Sequence, residues 1–92
     1  MIKSFRHRGL QRLFEHGDPS KVRADQVRRI LDVLAHLDQA LTPSDLNLPG
    51  YRLHRLKGAR KGVWSVTISG NWRILFRFDD GDAFAVDLVD YH

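Results

Sequence analysis

Between positions 46 and 78 the chain carries seven lysines or arginines, namely Arg52, Arg55, Lys57, Arg60, Lys61, Arg73 and Arg77, and no aspartate or glutamate. From Asp79 onward every charged residue is an acid, and the sequence closes on Asp90, Tyr91 and His92. A cationic surface draws in a polyanion, and a His, a Tyr and an Asp beside it add groups that move protons. This combination points to RNA cleavage rather than RNA storage. Cutting RNA without a metal requires a base for the ribose 2′-hydroxyl proton, positive charge around the phosphorus centre, and an acid for the departing 5′-oxygen. His54 and His92 are the candidate acids or bases. Arg73, Lys57 and Arg60 are candidate charge stabilisers, and Tyr91 and Asp90 are orienting or proton-handling groups.

Each of these residue types also has a plain structural use. Imidazole titrates near neutral pH wherever it sits, and five His in this chain cannot all be chemical. His7, His16 and His36 fall on helices or their approaches among other charges and are read as structural or solvated. Asp90 has a plain reading as a strand-end carboxylate that pairs with Arg or accepts backbone hydrogen bonds, and Asp87, between Arg73 and Arg77, has the same reading more strongly. The run Lys57-Gly58-Ala59-Arg60-Lys61-Gly62 is either a solvated loop or, through its two glycines, a place where backbone approaches a phosphate. Metal catalysis finds little support, because there is no Cys and no His-x-x-x-His on the helices, and no cofactor is expected. A nucleophilic Ser lacks a motif; Ser65 and Ser69 are ordinary polar strand positions.

Ninety-two residues allow one small domain, which must bury most of its apolar side chains to be stable. Fifteen basic against eleven acidic residues give a net charge of +4 and a pI near 10.0, so the segregation of charge matters more than its sum. Nucleic acid is the leading partner class, and an acidic protein that masks the basic face is the second. A membrane surface ranks below both. The N-terminus has charge where a signal peptide needs an apolar run, and no stretch approaches membrane-spanning length. With no Cys, the expectation is a soluble, unprocessed chain in the cytoplasm.

The elements that must position these residues are legible from periodicity. Ile2 to Phe5 can form a short first strand. Leu10, Leu13 and Phe14 at i, i+3 and i+4 predict a short helix closed by Gly17 in a left-handed cap. Ala24, Val27, Ile30, Leu31, Leu34 and Leu41 predict a longer amphipathic helix, and Thr42-Pro43-Ser44-Asp45 a further helical turn. From Tyr51 the period becomes two. Strands are predicted over Val63 to Ser69, over Trp72 to Phe78, and through Phe84, Val86 and Leu88.

Matching the apolar faces asks for three-residue loops. With Ser69-Gly70-Asn71, residues Ile68, Val66 and Trp64 oppose Trp72, Ile74 and Phe76. With Asp80-Gly81-Asp82, residues Phe78, Phe76 and Ile74 oppose Phe84, Val86 and Leu88. The other face then collects Ser65, Thr67, Arg73, Leu75, Arg77, Asp87, Val89 and Tyr91, with Arg73 and Tyr91 as neighbours. The expected architecture is an α+β domain spanning 1–92, its N-terminal helices packed on a curved, mainly antiparallel β-sheet. The aromatics at 64, 72, 76, 78 and 84 are assigned to its core.

The run from Tyr51 through Phe78, with Leu53-His54-Arg55-Leu56-Lys57-Gly58-Ala59-Arg60 at its centre, closely resembles the HigB-type toxins of bacterial toxin–antitoxin systems. So do the opening Met1-Ile2-Lys3-Ser4-Phe5-Arg6-His7-Arg8-Gly9-Leu10 and the terminal Asp90-Tyr91-His92. The resemblance implies membership of the RelE/ParE superfamily, a microbial-ribonuclease-like fold, and cleavage of messenger RNA in the ribosomal aminoacyl site. Its implied partners are the ribosome with its rRNA and mRNA, and a HigA-type helix-turn-helix antitoxin through which alone it would meet operator DNA. His54, Asp90, Tyr91 and His92 are the implied catalytic set, with Lys57 and Arg73 as phosphate or transition-state contacts and Arg55, Arg60, Lys61 and Arg77 as RNA or ribosome contacts. Two positions depart from the family pattern: Arg55 stands where Pro is frequent and Ala59 where Asp is common. Two other functions suit the same composition. One is a ParE-like DNA gyrase inhibitor, which needs no proton-transfer residues, and the other is a noncatalytic basic module that binds RNA or protein.

Overall fold

The computed structural model describes residues 1–91. Helix α1 (Arg8–His16) forms as its spacing predicts, burying Leu10 and Leu13. His7 caps it: the Nδ1 atom accepts a hydrogen bond from the Leu10 N–H at 3.1 Å, in keeping with a structural role. The helix stops where Gly17 turns left-handed at φ 69° and donates its N–H to the Leu13 carbonyl at 3.0 Å.

One 3₁₀ turn, Ala24–Gln26, leads into α2 (Val27–Gln39). The buried stripe of α2 is Ile30, Val33, Leu34 and Leu37, an i, i+3, i+4, i+7 set. This corrects the expected stripe. Leu31 lies one position past the seam and is exposed, as is Ala24, while Leu41 lies beyond the helix and is 77% exposed. Thr42 then opens the further turn expected, Pro43–Leu46. There the Asp45 carboxylate accepts hydrogen bonds from the N–H groups of Leu41 (2.9 Å) and Thr42 (3.2 Å), which hold its pKa below the ordinary carboxylate value.

Four strands form one antiparallel sheet in the order β1 (His54–Arg55), β2 (Trp64–Ser69), β3 (Trp72–Asp79) and β4 (Asp82–Asp90). The pairs Trp64–Phe76, Val66–Ile74, Ile74–Leu88 and Arg73–Val89 occur as apolar matching requires. The turns differ from expectation. Ser69 pairs with Trp72 and Asp79 with Asp82, so each hairpin closes on two residues, Gly70-Asn71 and Asp80-Gly81. Two-residue turns suit the twist of paired strands, and a bulge absorbs the residue left over. One bulge lies between Thr67 and Ser69, the other opposite Leu75–Arg77, where Ala85 adopts φ 53°.

The second bulge changes which residues of β4 face the helices. Ala83 is fully buried there, whereas Phe84 pairs with Arg77 and lies outside the core cluster. Phe76 is buried as assigned, and Trp64, Trp72 and Phe78 are half-buried against the same core. The Ile2–Phe5 segment is present as two parallel bridges to the outer edge of β4, Ile2–Ala83 and Phe5–Val86. Both helices pack against β4, which leaves the opposite sheet face uncovered by them.

Candidate active site on the open sheet face

Register assigns the faces. His54 pairs with Ser65, Ser65 with Leu75 and Leu75 with Asp87, giving one row across the sheet; Thr67, Arg73 and Val89 form the next. These residues alternate with Val66, Ile74 and Leu88 of the core, so they occupy the face away from the helices. Tyr91 follows β4 and donates its N–H to the Asn71 carbonyl at 2.7 Å. His54, Arg73 and Tyr91 together line a depression of about 430 Å³, with Arg52, Leu53, Leu56, Ser65 and Thr67. The expected closeness of Arg73 and Tyr91 is realised. The Arg73 Nη1 atom donates to the Gly70 (2.6 Å) and Trp72 (3.1 Å) carbonyls, which anchors the guanidinium against the β2–β3 turn.

His54 sits on a short edge strand that needs outside support. The Tyr51 carbonyl accepts from the Thr67 N–H at 2.8 Å, and His54 pairs with Ser65, so three steps along the edge span two along β2. Arg52 absorbs the difference at φ 50°, a conformation that is uncommon for a residue with a Cβ. From α2, Arg29 grips this edge: its Nη2 atom donates to the Gly50 (2.7 Å) and Thr67 (3.2 Å) carbonyls. Its guanidinium carbon stands 4.6 Å from the Tyr51 ring centroid. The Tyr51 hydroxyl lies 2.8 Å from His36 Nδ1, which gives His36 a structural use, and burial pushes the phenol pKa up.

The remaining candidates divide among neighbouring places. Lys57, Arg55 and Lys61 line an adjoining depression with Leu56 and Gly58, beside the 3₁₀ turn Gly58–Arg60. Arg55 also lies 5.4 Å from the Trp64 ring centroid. Arg60 stands over Tyr91 at 5.6 Å and, with Arg77, lines a third depression. Asp90 is not on the face with His54. It pairs with Trp72 on the helix side, and its charge acts on Arg23, ahead of α2. His92 lies outside the described residues.

Sequence reasoning nominated neither Arg52 nor Arg6, both of which line depressions on this face. Arg52 carried only the signal of the basic run. Arg6 carried none, because its place depends on how the N-terminus follows β4. Among the described residues no group of three or more His, Cys, Asp or Glu is arranged to hold a metal ion, and no helix is long and apolar enough to cross a membrane.

Fold and face together define a class: a small α+β protein whose helices shield one side of a sheet while the other side carries cationic side chains around a histidine and a tyrosine. The family described as RelE-like toxin of the type II toxin-antitoxin system HigB matches residues 3–92, and the chain belongs to it. An antitoxin is accordingly its partner. The chain is also similar to the Endoribonuclease HigB of Proteus vulgaris, at 51% identity over 92 residues and the full length of both proteins.

Proposed function

We propose that the chain is an endoribonuclease that works without a metal, on the ribosome, cutting messenger RNA in the aminoacyl site and so inhibiting translation. The observation that carries this is the grouping of His54, Arg73 and Tyr91 around one open depression. The similarity to the Endoribonuclease HigB of Proteus vulgaris adds support for ribonuclease chemistry.

In this reaction a base removes the 2′-hydroxyl proton, the 2′-oxygen attacks phosphorus, and the bond to the 5′-oxygen breaks as an acid protonates it. The products are a 2′,3′-cyclic phosphate and a 5′-hydroxyl end. His54 and His92 handle protons, Tyr91 and Asp90 orient or assist them, and Arg73 and Lys57 stabilise the charge building on phosphorus. Asp90 lies on the other face of the strand and acts without lining the depression. Arg55, Arg60, Lys61 and Arg77 supply attraction for mRNA and rRNA. The antitoxin is of HigA type, with a helix-turn-helix that makes the only contact with operator DNA, and the working compartment is the cytoplasm.

The test is a reconstituted translation reaction in which mRNA is mapped for breaks. Cuts within the codon of the aminoacyl site, present with ribosomes, absent without them and undiminished when the protein has been treated with chelator and dialysed beforehand, are the expected result. Intact mRNA with natively folded protein, or inhibition of gyrase supercoiling in its place, would overturn the proposal.

A further inference from the structure

The third depression, enclosed by β3, β4, the Gly58–Arg60 turn and the N-terminal segment, is not used by the chemistry above. We propose that it is a nucleotide subsite, which takes the base and phosphate of an RNA nucleotide neighbouring the one that is cut. This deepens the endoribonuclease reading and rests on it.

Three arginines, Arg6, Arg60 and Arg77, line a cavity of about 230 Å³ whose apolar lining includes the buried Leu75. Among the described residues none of the three forms an ion pair, and with Asp87 as the one acid in the lining the concave site keeps an excess of positive charge, which is focused there. The guanidinium fork suits phosphate oxygens, and the apolar lining suits the face of a base. At this volume the cavity falls below the roughly 300–1,000 Å³ of sites that enclose a whole small molecule, which fits one unit of a polymer.

The cavity is a built feature of the fold. The bulge opposite Leu75–Arg77 holds Ala85 at φ 53°, and Ser4 Oγ accepts from its N–H at 2.9 Å. Next to it the Val86 carbonyl accepts from the Arg6 N–H at 2.8 Å, so the same irregularity sets Arg6 on the rim. Arg60 also stands over Tyr91, which lines the depression holding His54. An RNA strand leaving Tyr91 therefore passes Arg60 and enters this cavity.

Asp87 gives the site a preference. Its carboxylate shares the cavity, makes no ion pair with Arg73 or Arg77 among the described residues, and accepts at Oδ1 from the Leu88 N–H at 2.9 Å. Of the two structural uses read from the sequence, it makes the backbone hydrogen bond and not the ion pair. A free carboxylate oxygen accepts from the exocyclic amino group of a base, as on cytosine N4, and uracil has no such group.

The experiment is a titration of the full chain with short oligocytidylate and oligouridylate by fluorescence anisotropy, over a range of salt and without ribosomes. Wild type is expected to bind oligocytidylate more tightly. Arg6→Gln and Arg77→Gln are each expected to weaken binding about tenfold and to flatten the salt slope by about 0.7 per lost phosphate contact. Asp87→Asn is expected to level the preference between the two oligomers with the slope unchanged. Unaltered affinity and slope in both arginine variants, with native melting curves, would overturn the subsite. So would variants that weaken only the complex with the antitoxin, since the face would then be a protein contact. Intact RNA binding by a wild-type protein that leaves mRNA uncut on ribosomes would refute the endoribonuclease reading and leave the subsite standing.

Discussion

Replacing Arg29 with Met keeps most of the aliphatic stem and removes what holds the His54 edge to the sheet. Two hydrogen bonds are lost, to the Gly50 and Thr67 carbonyls, together with the stacking on Tyr51. A hydrogen bond from a charged donor contributes about 1.5–3 kcal/mol, less where water can replace it, as at the exposed Gly50 contact. A cation–π contact adds about 0.5–1 kcal/mol at a partly exposed site. Because the same guanidinium makes all three contacts they do not add in full, and the expected loss is about 2–3 kcal/mol. In a domain of this size that lowers Tm by about 8–24 °C. Function should suffer beyond stability, because displacing a reacting group by a fraction of its own width can cost about 100-fold in rate. At a temperature where the variant is fully folded, kcat for mRNA cleavage should fall about 10- to 100-fold with KM little changed. Tyr51→Phe is the control: it removes only the hydroxyl contact with His36, should cost about 1 kcal/mol, and should leave kcat intact. Thermal unfolding followed by circular dichroism and cleavage on ribosomes measure both quantities. An unchanged Tm would refute the claim that Arg29 pins the edge, and full kcat in the folded variant would refute the claim that pinning matters to His54.

Further predictions address the site and the frame separately. His54 is exposed, so His54→Ala should leave Tm unaltered while slowing cleavage about 10²- to 10⁴-fold, and His92→Ala should behave likewise; loss of folding in step with activity would assign either residue to structure instead. Gly9→Ala should destabilise by about 1–3 kcal/mol in urea unfolding, because the added Cβ would stand 2.8 Å from Lys21 Cβ and 2.9 Å from the Lys21 carbonyl oxygen, neither of which is a flexible tip. Asp45, Asp18 and Asp25 have pKa values lowered by backbone N–H groups of Leu41 and Thr42, by Ser20, and by Arg23 respectively. A lowered folded value means that the folded state binds the proton less well, so these contributions are present above the unfolded value of about 3.9 and are lost as pH falls from there through the lower folded value. Urea midpoints should therefore drop across that acid range, and the drop should be smaller in Asp45→Asn.

The helices and the sheet were legible because each rests on a local period and a local stop. Leu10, Leu13 and Gly17 define α1, and Trp64, Val66, Ile74 and Leu88 define the apolar face of the strands. The misplaced stripe on α2 shows where periodicity runs short. Leu31 is as apolar as Leu34, and only contact with the sheet decides that Val33 and Leu37 complete the seam. The separation of Asp90 from His54 was equally accessible in principle, since residues 88 and 90 of one strand share a face. The tripeptide Asp90-Tyr91-His92 invites reading as a cluster, but the pleat sends Asp90 toward Trp72 and Arg23 while Tyr91 borders the open face.

Where the bulges fall explains which part of the face was readable and which was not. Counting from the apolar pairs in the middle of β3, the ladder toward Arg73, Val89 and Tyr91 runs without interruption, and His54 to Ser65 to Leu75 crosses it at regular steps. Alternation therefore carried far enough to set Arg73 beside Tyr91, while the place of His54 depends on the irregular edge at Arg52, which no period announces. In the other direction the ladder meets the bulge opposite Leu75–Arg77. There the two-residue Asp80-Gly81 turn and the core position of Ala83 together require one unpaired residue, and alternation cannot say which residue that is. Beyond this point Phe84 leaves the core, Ala85 takes the left-handed conformation, and Arg6 arrives from the far end of the chain. The proposed nucleotide subsite is lined by Ala85 and Arg6, so its existence depends on a local break in the same periodicity by which the neighbouring site was read.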